Sequence, residues 1–108
     1  MEQLQINEKN GSNYVVYVLS GALNSYTCGE FKEKIFDRIK TTNVVVDLSE
    51  IESIDSSGIG IIMAGFNDGE EYNHKFHLMN PSPAARIAIE ETGFYDLFSF
   101  IHSITEVE

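Results

Sequence analysis

The sequence predicts an α/β fold, in which about four helices pack on a mixed β-sheet that opens with a hairpin. Three observations support this prediction. A run of β-branched residues, Val44–Val46 followed by Leu48, is typical of a central strand covered on both faces. Segments with strand patterns and segments with helix patterns alternate along most of the chain, as parallel strands with helical crossovers require. The turn signal Asn10–Asn13 separates two strand-like segments near the start, as in a hairpin.

The first part of the chain is expected to form the hairpin. Residues 3–8 alternate weakly between polar and apolar side chains, which predicts an edge strand. Tyr14–Ser20 is rich in β-branched and aromatic residues and predicts the clearest strand of the chain. Gly21 is expected to end that strand, and residues 24–26 are expected to form an exposed polar loop.

The first helix is predicted after this loop. Thr27 and Glu30 have the spacing of a capping box, in which two side chains satisfy backbone N–H groups at a helix start. Basic residues suit the negative end of the helix dipole, so Arg38 and Lys40 place the helix end near Lys40. The predicted buried positions of this helix are Phe31, Ile35 and Ile39.

The second helix is predicted after a polar link, Ser49–Ile54, that follows the central strand. Asp55–Gly58 reads Asp-Ser-Ser-Gly, and short polar side chains of this kind cap helices; we assign the cap to Ser56. A phosphate on the Ser57 hydroxyl would then meet free N–H donors at the positive end of the helix. Ile61 falls outside the apolar stripe and is predicted to be an exposed docking contact. The predicted buried stripe consists of Ile59, Ile62, Met63 and Phe66.

The remainder of the chain predicts a strand, a third helix and a last strand. Phe76–Met79 is a short apolar strand candidate. Ser82–Pro83 is expected to cap and begin the third helix, and Gly93 suits the left-handed position that follows a helix. Residues 95–101 leave room for one more strand, and residues 103–108 for a helical turn.

Composition narrows the class of protein. The chain has 108 residues, 43% of them hydrophobic, which predicts one globular domain over residues 1–108. A net charge of −10 argues against nucleic acid and anionic membrane surfaces as partners. The single cysteine and the lack of a signal-peptide pattern predict a cytoplasmic protein. We expect a monomer or a weak dimer.

One segment, around the start of the second helix, resembles the signature of the STAS domain, and in particular that of the bacterial anti-sigma factor antagonists. The matching pieces are Asp47–Ser49, Ile54 and Asp55–Gly60. The Gly21–Leu23 turn is similar to the family's Gly-x-Leu-Asp loop, and residues 80–98 are similar to its last helix and the Gly-Phe that follows. The resemblance implies the STAS fold over nearly the whole chain.

This resemblance implies a partner-switching regulator that has no cofactor and no catalytic activity of its own. The unphosphorylated protein would bind an anti-sigma factor that is also a serine kinase, and so free the sigma factor. Phosphorylation of Ser57, the second serine of the motif, would end this binding, and a phosphatase would reset it; Ser56 is the secondary candidate. The family usually has aspartate at the position of Asn24, and this departure is expected to affect phosphorylation more than the fold. The implied partner-binding residues are Asn24, Asp55, Ser56, Ser57, Gly58 and Ile61.

The residues taken by themselves are also compatible with other functions. The domain could be a scaffold or sensor in a signalling assembly, or could bind a small ligand or anion at the same helix end. Asp47 lacks the acidic pair that a magnesium-dependent receiver domain needs, and is expected to close its strand or tie down the following link. Cys28 has no basic neighbour that would activate its thiol. No metal site is predicted from the three histidines, His74, His77 and His102.

Overall fold

Strands and helices follow one another in the predicted order. The computed structural model describes residues 3–107. Within them are three α-helices and two single-turn 3₁₀ helices, at Tyr95–Leu97 and Ile104–Glu106, where the sequence predicted about four helices. The strands and α-helices are β1 (Leu4–Asn10), β2 (Tyr14–Leu23), α1 (Gly29–Arg38), β3 (Asn43–Ile54), α2 (Ser56–Tyr72), β4 (Phe76–Met79), α3 (Pro83–Glu90) and β5 (Ser99–Ile101).

The five strands form one mixed sheet in the order β1-β2-β3-β4-β5. β1 pairs antiparallel with β2, and the other three pairings are parallel. The sheet therefore opens with the predicted hairpin and continues through helical crossovers. β3 lies at the centre, and Val44–Val46 is fully buried, which confirms the interpretation of this run as a strand covered on both faces.

Strands β2 and β3 are both longer than predicted. Gly21 does not end β2, and Ser49–Ile54 is not a link, because the two strands pair as far as Leu23 and Ile54, with register shifts on the way. Gly21 adopts a φ of 104°, and a Cβ there would collide with the carbonyl oxygen of Gln3. Glycine thus permits an irregularity that keeps the pairing going, and it carries both strands to the edge where α2 begins.

The three α-helices cover one face of the sheet. Residues of all three helices join one core with β2, β3 and β4. The opposite face, which we call the second face, has a smaller core in which Val16, Val45 and Ile101 are buried, with Ile104 and Val107 of the C-terminal turn packed on them. No helix within residues 3–107 is long and apolar enough to cross a membrane.

Two predicted helix starts have different outcomes. The capping box at Thr27 and Glu30 is wrong, because α1 begins after Cys28 and has no side-chain cap. The Thr27 hydroxyl instead accepts a hydrogen bond from the Asn24 backbone N–H at 2.9 Å and donates one to the Ala22 carbonyl at 2.7 Å. The cap at Ser82 is confirmed: its hydroxyl accepts from the Ala85 N–H at 3.1 Å.

Candidate functional site

The first turn of α2 is organised by Asp55. This residue is the N-cap, and its Oδ1 accepts hydrogen bonds from the backbone N–H groups of Ser57 at 2.9 Å and Gly58 at 3.2 Å. The assignment of the cap to Ser56 is therefore wrong. Asp55 has an extended backbone whereas Ser56 is already helical, and a side chain reaches the free N–H groups from the extended position. The Ser56 and Ser57 hydroxyls are left available for other contacts.

The Asp55 carboxylate also changes the expected environment of a phosphate. The sequence predicted free N–H donors beside the Ser57 hydroxyl, but the Ser57 and Gly58 donors are already used by Asp55. Asp55 and Ser56 are exposed and Ser57 is half-buried. A phosphate on Ser57 would share this helix end with a carboxylate, so its charge would be repelled as well as attracted by the helix dipole.

The loop between β2 and α1 is tied to the same helix end. The Ser25 N–H donates to Oδ2 of Asp55 at 3.3 Å. Asn24 holds the loop together: its Oδ1 accepts from the Tyr26 N–H at 2.9 Å, and its carbonyl accepts from the Cys28 N–H at 2.9 Å. Asn24 is only 8% exposed, so the prediction of an exposed loop is right for Ser25 and Tyr26 and wrong for Asn24. Asn24 is therefore a buried residue that holds the loop in place.

The loop carries a side chain that the sequence analysis did not single out. Tyr26 is 94% exposed, although its backbone N–H is held by Asn24. An aromatic side chain is costly to leave in water and valuable at a protein interface, where tyrosine is enriched. The signal was present in the sequence as an aromatic residue inside a short polar loop. Ser56 also lines an open groove of about 410 Å³ between α2 and α3.

Ile61 does not lie on the surface, which contradicts its predicted role as a docking contact. It is 6% exposed and belongs to the core on the helix-covered face. The predicted stripe was incomplete, because its residues pack on the core but small residues face the core as well: a Cβ on Gly65 would lie 2.7 Å from the Phe76 ring. The buried residues of α2 are Gly58, Ile61, Ile62, Gly65 and Gly69, and Ile59, Met63 and Phe66 are half-buried.

Gly58 lets α2 start close to the end of β2. A Cβ at this position would lie 2.7 Å from Cγ of Leu23 and 2.9 Å from Cγ1 of Ile54. Both atoms are near the backbone of well-packed residues, so neither side chain can swing away cheaply. Gly60, two residues on, is exposed, and a Cβ there would have no neighbouring atom within 4 Å.

Gly58→Ala should therefore destabilise the fold by about 1–3 kcal/mol. Gly60→Ala, the matched control on the same helix turn, should be neutral or should stabilise by up to about 1 kcal/mol, because alanine is the better helix former. Chemical denaturation of both variants measures the difference. Equal stability of the two variants would show that the helix start does not depend on the close approach at Gly58.

The other candidate groups have structural partners. The expectation that Asp47 closes its strand or ties down a link is wrong, because β3 continues to Ile54. The Oδ1 of Asp47 accepts from the Ser49 N–H at 2.9 Å within the strand. Nδ1 of His74 lies 2.6 Å from the Ile39 carbonyl, and Nδ1 of His77 lies 2.7 Å from the Ser99 hydroxyl. Burial lowers the pKa of His77, and Lys75 lowers it further. No group of three or more metal-ligating side chains comes together within the described residues.

Comparison with known proteins places this fold. A family model described as the STAS domain matches residues 3–107. An anti-sigma factor antagonist from Mycobacterium paratuberculosis superposes with a TM-score of 0.82 at 21% identity, covering 95% of this chain and 89% of the other. The Bacillus cell-fate determinant SpoIIAA matches at 20% identity in both its unphosphorylated form, with a TM-score of 0.80 and coverage of 95% and 93%, and its phosphorylated form, with 0.75 and coverage of 95% and 96%. These structures share the fold of this chain.

Proposed function

Because the chain belongs to the STAS domain family, we propose that it is an anti-sigma factor antagonist whose binding is switched by phosphorylation of Ser57. The observation that carries the proposal is the position of Ser57, which lies in the first turn of α2 beside the Asp55 carboxylate and the exposed loop that Asp55 holds. A phosphate on this residue would add about −1.5 to −2 charge to a surface that is already acidic.

The proposed cycle uses this protein as a binder and a substrate, with no catalytic group of its own. The unphosphorylated form binds an anti-sigma factor that is also a serine kinase, and the sigma factor is released. The kinase then transfers the γ-phosphoryl group of ATP to Oγ of Ser57: the new O–P bond forms, the bond to the β-phosphate oxygen breaks, and ADP leaves. The hydroxyl proton passes to a base of the kinase. A phosphatase restores the serine by hydrolysis.

The residues of the predicted partner surface divide into two groups. Ser56, Ser57 and Asp55 lie at the surface or half-buried, and we add Tyr26 to them as a direct contact. Asn24, Gly58 and Ile61 are buried and support this surface from below. They act by holding the loop, bringing the helix start close to β2 and packing the helix on the sheet, as described above. A phosphate on Ser57 would lie beside Asp55 and Ser56, and Asp55 is hydrogen-bonded to the loop that carries Tyr26.

A small-anion site at the same helix end is less well supported. Free N–H groups are what make a helix start an anion site, and the Asp55 carboxylate already accepts from two of them. A scaffold role independent of Ser57 remains the main alternative, and the phosphorylation experiment below separates the two.

Ser57→Ala should abolish phosphorylation by the cognate kinase. The measurement is the intact mass of wild type, Ser57→Ala and Ser56→Ala after incubation with the kinase and ATP. Ser56→Ala is the matched control, because Ser56 is the more exposed neighbour and is not the helix cap; it should gain one phosphate as wild type does. A phosphate on Ser57→Ala would reject Ser57 as the acceptor and favour the scaffold role.

Tyr26→Ser should weaken binding to the anti-sigma factor about tenfold or more, because an exposed tyrosine is a strong interface anchor. The fold should change little, since the Tyr26 side chain is 94% exposed. Tyr72→Ser provides a control, because Tyr72 is also exposed (41%) but lies at the other end of α2. Calorimetric titration measures both. Unchanged affinity of Tyr26→Ser would remove this residue from the proposed surface.

A further inference from the structure

The second face of the sheet carries a groove that the proposed function does not use. Val16 and Val18 of β2 share this face with Asp47 of β3 and Lys9 of β1, because residues that pair directly across strands point to the same side. The groove has a volume of about 340 Å³. Small-molecule sites in proteins have volumes of roughly 300–1,000 Å³, so this groove is large enough for a small ligand.

The floor and one wall of the groove are apolar. Val16 is 5% exposed, and Val18 and Met79 are half-buried along the floor. Ile104 of the C-terminal turn forms the wall. This turn is fixed by Glu106, whose Oε2 accepts from the His102 N–H at 2.6 Å and the Ser103 N–H at 3.0 Å. A flexible methionine beside rigid neighbours suits an apolar ligand, because its thioether adapts to the ligand's shape.

Opposite charges lie on either side of Val16 and Val18, with Lys9 on β1 and Asp47 on β3; Met79 lies beyond Asp47, on β4. Lys9 pairs with Val16, which pairs with Val45, and Asp47 lies two residues further along β3. Standard strand spacings then separate the Lys9 and Asp47 Cα atoms by about 12 Å. Oδ1 of Asp47 accepts from Ser49. Within residues 3–107, the second Asp47 oxygen and the Lys9 ammonium have no hydrogen bond or ion pair. Both charges can therefore meet a ligand.

We propose that this groove binds a small zwitterionic molecule with an apolar middle, its carboxylate at Lys9 and its protonated amine at Asp47. Each end would gain a charge-assisted hydrogen bond, and the middle would cover Val16 and Val18, which lie between the two charges. A second copy of the chain fits this face poorly, because each copy carries a net charge of −10. A molecule with only one charge would leave one end of the groove unpaired.

The test uses ω-aminooctanoate as the probe, with octanoate and octylamine as single-charge analogues of the same length. Titration into isotopically labelled protein, followed by NMR, should shift the amides of Val16 and Val18. We expect the zwitterion to bind about tenfold or more tightly than either analogue. Lys9→Gln should lower its affinity to that of octylamine, and Asp47→Asn to that of octanoate. The asparagine can still accept from Ser49, so the fold should be kept.

Lys40→Gln and Asp96→Asn are the matched controls, because they remove the same charges from exposed positions that do not line the groove; they should leave affinity unchanged. The proposal is overturned if the amides do not shift, if the three probes bind equally, or if both groove variants bind like wild type. Concentration-dependent self-association that shifts the same amides without any probe would assign the second face to a second copy instead.

Discussion

Ile61→Asp is expected to unfold the protein. The side chain is 6% exposed in the core between α2 and the sheet, so the substitution removes an apolar group and buries a carboxylate without a partner. Loss of the isoleucine alone costs about 2–5 kcal/mol, and the buried charge adds a further penalty of several kcal/mol. The total approaches the whole stability of a small domain, about 5–15 kcal/mol.

The measurement is the circular dichroism spectrum and the melting curve of the purified variant. Asn67→Asp is the matched control, because it places the same carboxylate at an exposed position of the same helix; it should melt close to wild type. A folded Ile61→Asp protein that has lost only partner binding would contradict the buried position of Ile61 and restore it as a surface contact.

Phosphorylation of Ser57 is expected to weaken binding to the anti-sigma factor by about a hundredfold or more, which is about 3 kcal/mol. The phosphate would be desolvated against a partner site that itself binds nucleotide phosphates, and it would lie beside the Asp55 carboxylate. Like charges brought together in a dry interface repel strongly. The fold should survive, because Ser57 is half-buried in the first turn of α2 and the helix is capped by Asp55.

Affinity and melting temperature of the phosphorylated and unphosphorylated proteins should be measured together. Ser57→Asp should weaken binding less than the phosphate does, because one carboxylate carries less charge and fewer oxygens. Ser57→Ala should bind as the unphosphorylated wild type does. The switch would be disproved by undiminished binding of the phosphorylated protein, and a parallel loss of folding would show that the phosphate acts on stability.

Local patterns in the sequence were sufficient for much of the fold. The β-branched run Val44–Val46 predicted the central strand, because a short apolar run of β-branched residues is typical of a strand covered on both faces. Ser82 and Pro83 predicted the start of α3, because a helix start requires a particular side chain and a particular φ. The resemblance of the Asp-Ser-Ser-Gly motif pointed to the STAS domain, and the family match confirmed it.

Only the tertiary structure decided the features that depend on distant partners. β3 extends to Ile54 because β2 continues past Gly21 and pairs with it. The local sequence of β3 does not show that this partner strand is present. Ile61 is buried because Gly58 and Gly65 let α2 approach the sheet along their own stripe. Because glycine has no side chain, the sequence does not indicate which glycines face the core, and only the packed structure does. Periodicity counts apolar side chains and therefore cannot detect a face made of close backbone contacts.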